Sequence, residues 1–463
     1  MTIWTPQLPA SGVRYRALAD AIGDAIASGE LDEGMRLPPQ RRLADVLHVT
    51  VGTVTRAYAE AERRGLVEAR VGSGTYVRGR QTTATFRQVA GQADAACVDL
   101  SLSLPPPHPD RPRGLGEALE SIRHDPSALV QAVDYQPEQG MFRHRDTLAR
   151  WMTGLGLPVE SEELMVTQGG QHGISLALQA LAQPGERVAA SALTYPGLIA
   201  AAQQLYLKPL RVPLDEAGMN IEALARLCAQ QAPRLVYVTP DLNNPTGACL
   251  SEERRQALVA LARQHDFWIV EDGVQYLPAK ERGTPLYRLA PERTLYLFST
   301  SKIIAGGLRI GMLRMPPSIV ERLGALQRAQ SWMVPPLMAE VVCRWIESGA
   351  AERLLDWQLG EVAARQALAQ RYLASYGVRG RSHGFHLWLP LPHGVRAAAL
   401  IQQLEQRQVR VTSAEPFCVG SEPAPQAIRL CVSAAANRDA LTRALDTLVS
   451  LLQAPPTSPW RTL

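Results

Sequence analysis

Lysine is nearly missing from this sequence. Of 48 basic residues only Lys208, Lys280 and Lys302 are lysines, so arginine supplies the surface charge and a lysine in an apolar setting calls for a reason. The six cysteines, at 97, 228, 249, 343, 418 and 431, form no CxxC pair and no metal-ligand spacing. That argues against a metal ribbon or a disulfide scaffold and for reduced, buried thiols. No apolar run reaches the roughly 18 residues of a membrane span, and Met1–Ala10 hold neither a basic nor an apolar leader segment. A cytoplasmic protein is the expectation. Charge of one sign is also lacking: a net of +4 is too small to argue for nucleic acid by itself, so any basic surface must be local. What remains, 20% charged and 46% hydrophobic residues over 463 positions, is a globular balance with room for two or three domains.

The scarce lysine stands out at 302. It follows the apolar run Leu295–Phe298 in the order Ser299-Thr300-Ser301-Lys302, with Gly306-Gly307-Leu308-Arg309 behind it. Only a neutral amine adds to a carbonyl, and a desolvated lysine beside other cations gives up its proton more readily. Ser299 and Arg309 suit a phosphate, because arginine offers a planar fork to a dianion and the glycines let the backbone come close. The pattern resembles the pyridoxal-phosphate lysine segment of fold-type I aminotransferases.

The first eighty residues have a different character. Apolar positions recur at helical spacing in Tyr15–Ile26, a second helix is expected over Pro39–Leu47, and Thr50 caps a third whose inward face is Val54, Ala57, Tyr58 and Ala61. Two short strands around a glycine turn follow, over residues 65–77. Between Arg36 and Arg80 there are nine arginines against four acids, a balance that suits phosphate neutralisation. The LPPQRRLA, TVTRAY and GSGT segments, in this order, resemble the winged helix-turn-helix of GntR-type bacterial regulators. The resemblance implies that Arg41, Thr50, Gly52, Thr53, Arg56 and the wing residues Gly72 and Ser73 meet double-stranded DNA. Val51 and Thr55 stand where many relatives carry arginine, so bidentate guanine readout is not available from those two positions.

Residues 81–96 are polar and small, with little periodicity, and read as a linker between a DNA-binding domain at 11–80 and a second domain at 97–463. As a flexible coil such a linker averages about 20 to 25 Å, enough for two modules on a dimer to reach half-sites about 34 Å apart. From residue 98 strand and helix candidates alternate, which predicts a mostly parallel sheet covered on both faces. Ligands collect at the carboxyl ends of such strands.

The motifs at those ends are similar to the aminotransferase set. The order of the segments implies a large mostly parallel-sheet domain and a smaller α+β domain of the α/β fold-type I class, binding pyridoxal 5′-phosphate. By that resemblance Gly170 and Gln171 offer helix N-terminal amides to the phosphate, and Tyr195 stacks on the pyridine ring. Asn244, in Asn243-Asn244-Pro245-Thr246-Gly247, meets the phenolic oxygen. Asp272 pairs with the pyridine nitrogen, and Arg429 grips an effector carboxylate. Tyr135 reaches the phosphate of a neighbouring subunit, which implies a homodimer. The tyrosine expected soon after Asp272 comes one place late, as Tyr276, so either its loop shifts or its bond to the cofactor is missing.

The whole is similar to the MocR subfamily of GntR regulators. The function this implies is a transcriptional regulator that senses pyridoxal 5′-phosphate, an amino-compound effector, or both, through an aldimine at Lys302. The alternative is a working aminotransferase with an accessory head. The displaced tyrosine predicts weak or absent turnover, and no metal is expected.

Overall fold

The computed structural model describes residues 4–6, 8, 13–32, 34–64, 66–70, 74–77 and 97–453. The chain divides into two compact units, residues 1–92 with 420–425, and residues 93–419 with 426–463.

In the first unit three helices enclose a small core. Helix α1 (Arg14–Ser28) ends on Gly29, whose φ of 78° only glycine adopts cheaply. Helix α2 (Gln40–Leu47) is closed by His48 in the left-handed region, and after Val49 the Thr50 hydroxyl accepts the Thr53 amide to start α3 (Val51–Arg63). Leu18 and Ile22 of α1, Leu43 and Ala44 of α2, and Val54, Ala57, Tyr58 and Ala61 of α3 bury against one another. Tyr58 pins the turn before α2 by donating to the Pro38 carbonyl at 2.8 Å. Strands β1 (Val67–Arg70) and β2 (Gly74–Val77) pair antiparallel from Val67↔Val77 to Arg70↔Gly74. The backbone of residues 34–37 hydrogen-bonds along the other side of β2. The expected wing residues Gly72 and Ser73, and the expected linker 81–96, lie outside the described residues.

The second unit is built on a seven-stranded sheet. In chain order its strands are β3 (Leu164–Thr167), β4 (Arg187–Ser191), β5 (Lys208–Val212), β6 (Leu235–Val238), β7 (Trp268–Asp272), β8 (Thr294–Ser299) and β9 (Gly311–Arg314). Their spatial order is β3-β9-β8-β7-β6-β4-β5, and only β9 runs against its neighbours. Successive residues of one strand enter opposite cores: Leu235 and Tyr237 join the cluster of Ile174, Leu198 and Leu323, whereas Val236 and Val238 join that of Leu224, Leu258 and Val259. This is the expected mostly parallel sheet covered on both faces. Strand β5 was not expected from the sequence. It is an edge strand, half-exposed along most of its length and carrying Pro209, so it lacks the continuous apolar run of the interior strands.

A smaller α+β part carries a four-stranded sheet ordered Arg379–Gly380, Leu387–Pro390, Ala427–Leu430, Thr412–Ser413. The helices Ala350–Leu373, Ala397–Gln406 and Arg438–Gln453 close its core through Leu373, Leu400, Leu404, Leu441 and Leu448. Val98–Asp99 is held to this part by a parallel pairing with Val409–Arg410.

Candidate functional site

Asp272 and Ser299 are the last residues of β7 and β8, neighbouring strands that end together at the carboxyl edge of the sheet. Ser299 caps a single 3-10 turn, Thr300–Lys302, through the Ser301 amide at 3.2 Å, and the Thr300 hydroxyl ties that turn to the Ile310 carbonyl at 2.9 Å. Lys302 is therefore fixed on a short, twice-anchored turn rather than on a loose loop. Its Nζ donates to the main-chain carbonyl of Ser103, and its own carbonyl accepts from Gln358 Nε2 at 2.8 Å. Burial lowers the ammonium pKa to about 8; the guanidinium groups of Arg429 and Arg309 push the same way, while Cys431 and Asp272 pull back.

Asp272 accepts the Tyr237 hydroxyl and, at 2.9 Å, the Val274 amide. Burial raises its pKa against those two donors and Lys302, so the carboxylate is short of positive charge. Its neighbour Glu271 points to the other side of the sheet and accepts the Leu286 and Tyr287 amides at 2.9 and 3.0 Å. Burial there pushes the carboxyl up to about 7. Asn244, which precedes Pro245 through a cis peptide bond, accepts from Arg429 Nη1 at 2.9 Å. Arg429 Nη2 donates to the Ser101 carbonyl at 2.5 Å, its guanidinium lies 4.8 Å from the centre of the Phe417 ring, and its buried Nε has no partner among the described residues.

After β3 the chain turns through Gly169 (φ 80°) into the helix Gly170–Leu181. A Cβ at Gly169 would meet Arg309 Nη2 at 2.4 Å, and one at Gly170 would meet Val274 Cγ2 at 2.9 Å. Both glycines are thus required by close packing with the segments that follow β7 and β8. Gln171 donates to the Gly197 carbonyl at 2.9 Å and leaves its Oε1 buried without a partner. Tyr195 begins the helix Pro196–Gln204, and burial, reinforced by Asp272, raises its phenol to about 12.

The structure therefore brings Gly170, Gln171, Tyr195, Asn244, Asp272, Ser299, Lys302, Arg309 and Arg429 to one region of strand ends and the adjoining smaller part. Three expected residues behave differently. Tyr276 has its hydroxyl 3.5 Å from the Leu155 carbonyl, Arg282 lies over its ring, and it packs on Phe298. The Ser299 hydroxyl already donates to the Ile310 carbonyl and touches Ser301 Oγ. Tyr135 is 81% exposed and packs edge-on against Trp332, away from Lys302 of its own chain.

Several members of the site escaped sequence reasoning. Tyr237 alternates into the same side of the sheet as Asp272, a register that only the pairing of β6 with β7 fixes. Ser101 and Ser103 act through main-chain carbonyls, which no side-chain motif marks. His386 is fully buried, its Nε2–H donates to the Asn243 carbonyl at 3.3 Å, and it is held neutral by burial and by Arg429, its pKa lowered to about 3.

On the first unit Arg41, Thr50, Gly52 and Arg56 are exposed and Thr53 is half-buried, all on α2 and the start of α3. The Thr55 hydroxyl is committed to Gln40 Oε1 at 2.7 Å and the Val51 carbonyl at 3.0 Å. Val51 itself is 41% exposed.

Comparison with known proteins places both units. Residues 14–77 match the bacterial regulatory proteins of the gntR family, and residues 127–448, more than half of the chain, match aminotransferase class I and II. An uncharacterized HTH-type transcriptional regulator of Bacillus subtilis (strain 168), YdeF, is 28% identical over 97% of this chain and 96% of its own. The HTH-type pyridoxine biosynthesis transcriptional regulator PdxR of Corynebacterium glutamicum is 29% identical over 73% of each chain. Among solved structures, an archaeal alanine:glyoxylate aminotransferase aligns with a TM-score of 0.71 at 24% identity, over 78% of this chain and 91% of that one. The chain belongs to the aminotransferase class I and II family and carries a gntR-type helix-turn-helix at its N-terminal end.

Proposed function

We propose that this member of the aminotransferase class I and II family is a transcriptional regulator of the MocR type, in which a pyridoxal 5′-phosphate-binding body governs the DNA affinity of a winged helix-turn-helix head. The domains are 11–80 for the head, 81–96 for the linker and 97–463 for the body. The observation that carries the reading is one chain holding both a lysine, Lys302, on the anchored turn at the strand ends beside Asp272 and Arg429, and an exposed helix-turn-helix face.

The site fits the cofactor that the family binds. Asp272 is a buried carboxylate short of a cation, which a pyridinium N–H would supply. The Gly169–Gly170 backbone is bare of side chains beside Arg309, as a phosphate needs. When bound, pyridoxal 5′-phosphate supplies an aldehyde that joins a primary amine with loss of water, and a ring that takes up electron density. Lys302 offers the amine, and its depressed pKa keeps a share of it unprotonated near pH 7. Asp272, steadied by Tyr237, holds a proton on the ring nitrogen; Tyr195 covers the ring; Gly170, Gln171, Ser299 and Arg309 surround the phosphate, Ser299 through the turn it caps. Asn244 meets the phenolic oxygen, and Arg429 offers a fork to an effector carboxylate. Tyr276 has no place in this set.

The exposed apolar group Val133, Tyr135, Phe142 and Trp332 suits burial against a second copy of the chain, with Tyr135 then reaching the neighbouring phosphate. On the head, Arg41 and Arg56 neutralise DNA phosphates, Thr50, Gly52 and Thr53 bring the start of α3 to the duplex, and Gly72 and Ser73 belong to the wing. With Thr55 tied to Gln40, the exposed Val51 is the apolar contact for a thymine methyl. Among the described residues no helix is long and apolar enough to cross a membrane, and a DNA target is consistent with a cytoplasmic protein.

A full switch of the head from 1:99 to 99:1 requires about 5.5 kcal/mol of differential binding, which a covalent bond at Lys302 plus the Arg429 fork can supply. The competing reading is a working aminotransferase. Purified protein, given pyridoxal 5′-phosphate, a panel of amino acids and a keto acid, should show weak or absent turnover while its DNA affinity at fixed salt changes. Vigorous steady-state transamination with unchanged DNA affinity would overturn the proposal.

A further inference from the structure

The two cations of the site are already engaged by one stretch of main chain. The Ser103 carbonyl accepts from Lys302 Nζ, and the Ser101 carbonyl accepts from Arg429 Nη2 at 2.5 Å. These are the positions of an aldehyde-bonded nitrogen and of a carboxylate in the proposed complex. Both bonds are of a kind that such a ligand removes. A lysine nitrogen joined to a carbonyl carbon has passed two of its protons to the departing water, and a carboxylate competes for the guanidinium with a charge-assisted bond that a neutral carbonyl cannot match.

The stretch is also bounded. On one side Leu100 is fixed, its amide to the Arg410 carbonyl at 2.8 Å and its carbonyl to the Cys431 amide at 2.7 Å. On the other, Arg111 grips the Pro106 carbonyl while holding Ile304 and Gln358. Between these stops, side chains from both parts bond residues 101–104. Asp99 Oδ1 accepts the Ser101 amide and hydroxyl at 2.8 and 2.6 Å, and the Thr412 hydroxyl donates to the Ser101 carbonyl at 3.2 Å. The Ser433 hydroxyl donates to the Leu104 carbonyl at 2.6 Å, and Gln275 Nε2 reaches Ser103 Oγ at 3.4 Å. Thr412 and Ser433 belong to the smaller part, Gln275 and Lys302 to the large sheet, so the strap joins the two.

We infer that residues 101–104 are an autoinhibitory latch: their carbonyls satisfy Lys302 and Arg429 in the free protein, and a ligand is bound only by displacing them. Pyridoxal 5′-phosphate alone takes the Ser103 end. An amino acid adduct carries the cofactor carbon on its own nitrogen, returns two protons to Lys302 and takes the Ser101 end through its carboxylate, so the two ligands release opposite ends of the strap. This rests on the cofactor reading of the same site.

The test uses the full chain, hydrogen exchange, and two probes, pyridoxal 5′-phosphate and the stable reduced adduct N-(5′-phosphopyridoxyl)glycine. Deuterium uptake over residues 100–104 is expected to rise with either probe, the first releasing the Ser103 end and the second the Ser101 end. Ser433→Ala and Thr412→Val each remove one tie, and Ser433→Ala does so away from the carbonyl that Arg429 holds. Each is expected to raise uptake there in the free protein and to tighten the adduct about fivefold, the equivalent of one ordinary hydrogen bond. Two variants are named so that a folding failure in one leaves the other. If both probes bind and uptake over 100–104 stays level or falls, the latch is wrong and the cofactor reading stands. If neither probe binds, both fail together.

Discussion

Head and body use cationic side chains in opposite ways. On the head Arg41 and Arg56 stand exposed, where charge acts through a screened field and through counterions released from DNA. In the body Arg429 is buried against Phe417 and Asn244, and Lys302 has lost enough solvation to titrate near 8. There a charge acts by what it costs to leave it unpartnered. Under the proposed function the same residue types give salt dependence in one unit and ligand dependence in the other.

The sharpest way to break this contrast is Lys302→Ala, which should abolish the visible absorbance of lysine-bound cofactor while leaving the head's ligand-free DNA affinity unchanged. In the unaltered protein the rate of cofactor capture should climb with pH and level off above about 8, because the neutral amine is the reactive form and its pKa is depressed. A profile still rising at pH 10 would mean that Lys302 is solvated.

Asp272→Asn is the next largest. Loss of a buried charge partner costs about 2 kcal/mol or more, so cofactor affinity should fall roughly 30-fold. Glu271→Gln, one residue away, should leave cofactor affinity alone and act on stability instead. The Glu271 carboxyl is raised from 4.5 to about 7, so the folded state holds its proton more tightly than the unfolded one, and this group's contribution is lost as pH rises from 4.5 through 7. The melting temperature of the glutamine variant should fall less over that interval than that of the parent.

On the head, Arg56→Ala should weaken duplex binding across sequences and flatten the log–log salt slope by about 0.9 if one phosphate contact is lost. An unchanged slope would remove Arg56 from the interface. The smallest effect is Thr50→Ala, which removes the cap on α3 and should destabilise the head by about 1 kcal/mol. Its readout is the melting of residues 14–77 alone, with cofactor binding undisturbed.

How much of this was legible in the sequence follows from the scale of the signal. The interior strands were visible because both faces of the sheet are covered and the apolar runs are continuous, whereas β5, a half-exposed edge strand with a proline, was not. Lys302, Asp272 and Asn244 were visible because their chemistry demands particular side chains next to particular turns. For Tyr276 the sequence left two alternatives open, since spacing along the chain does not report direction, and its ring packs on Phe298 with Arg282 over it. Ser101 and Ser103 could not be found in advance: any residue type carries the carbonyl they use, and only the path of residues 98–106 brings it to the two cations.

The most direct test of the coupling between body and head is the affinity of purified protein for its DNA at fixed salt, with and without pyridoxal 5′-phosphate, in the parent and in Lys302→Ala. The proposed function predicts that the cofactor shifts the affinity of the parent and leaves that of the variant where it was. Equal affinities under all four conditions would contradict it.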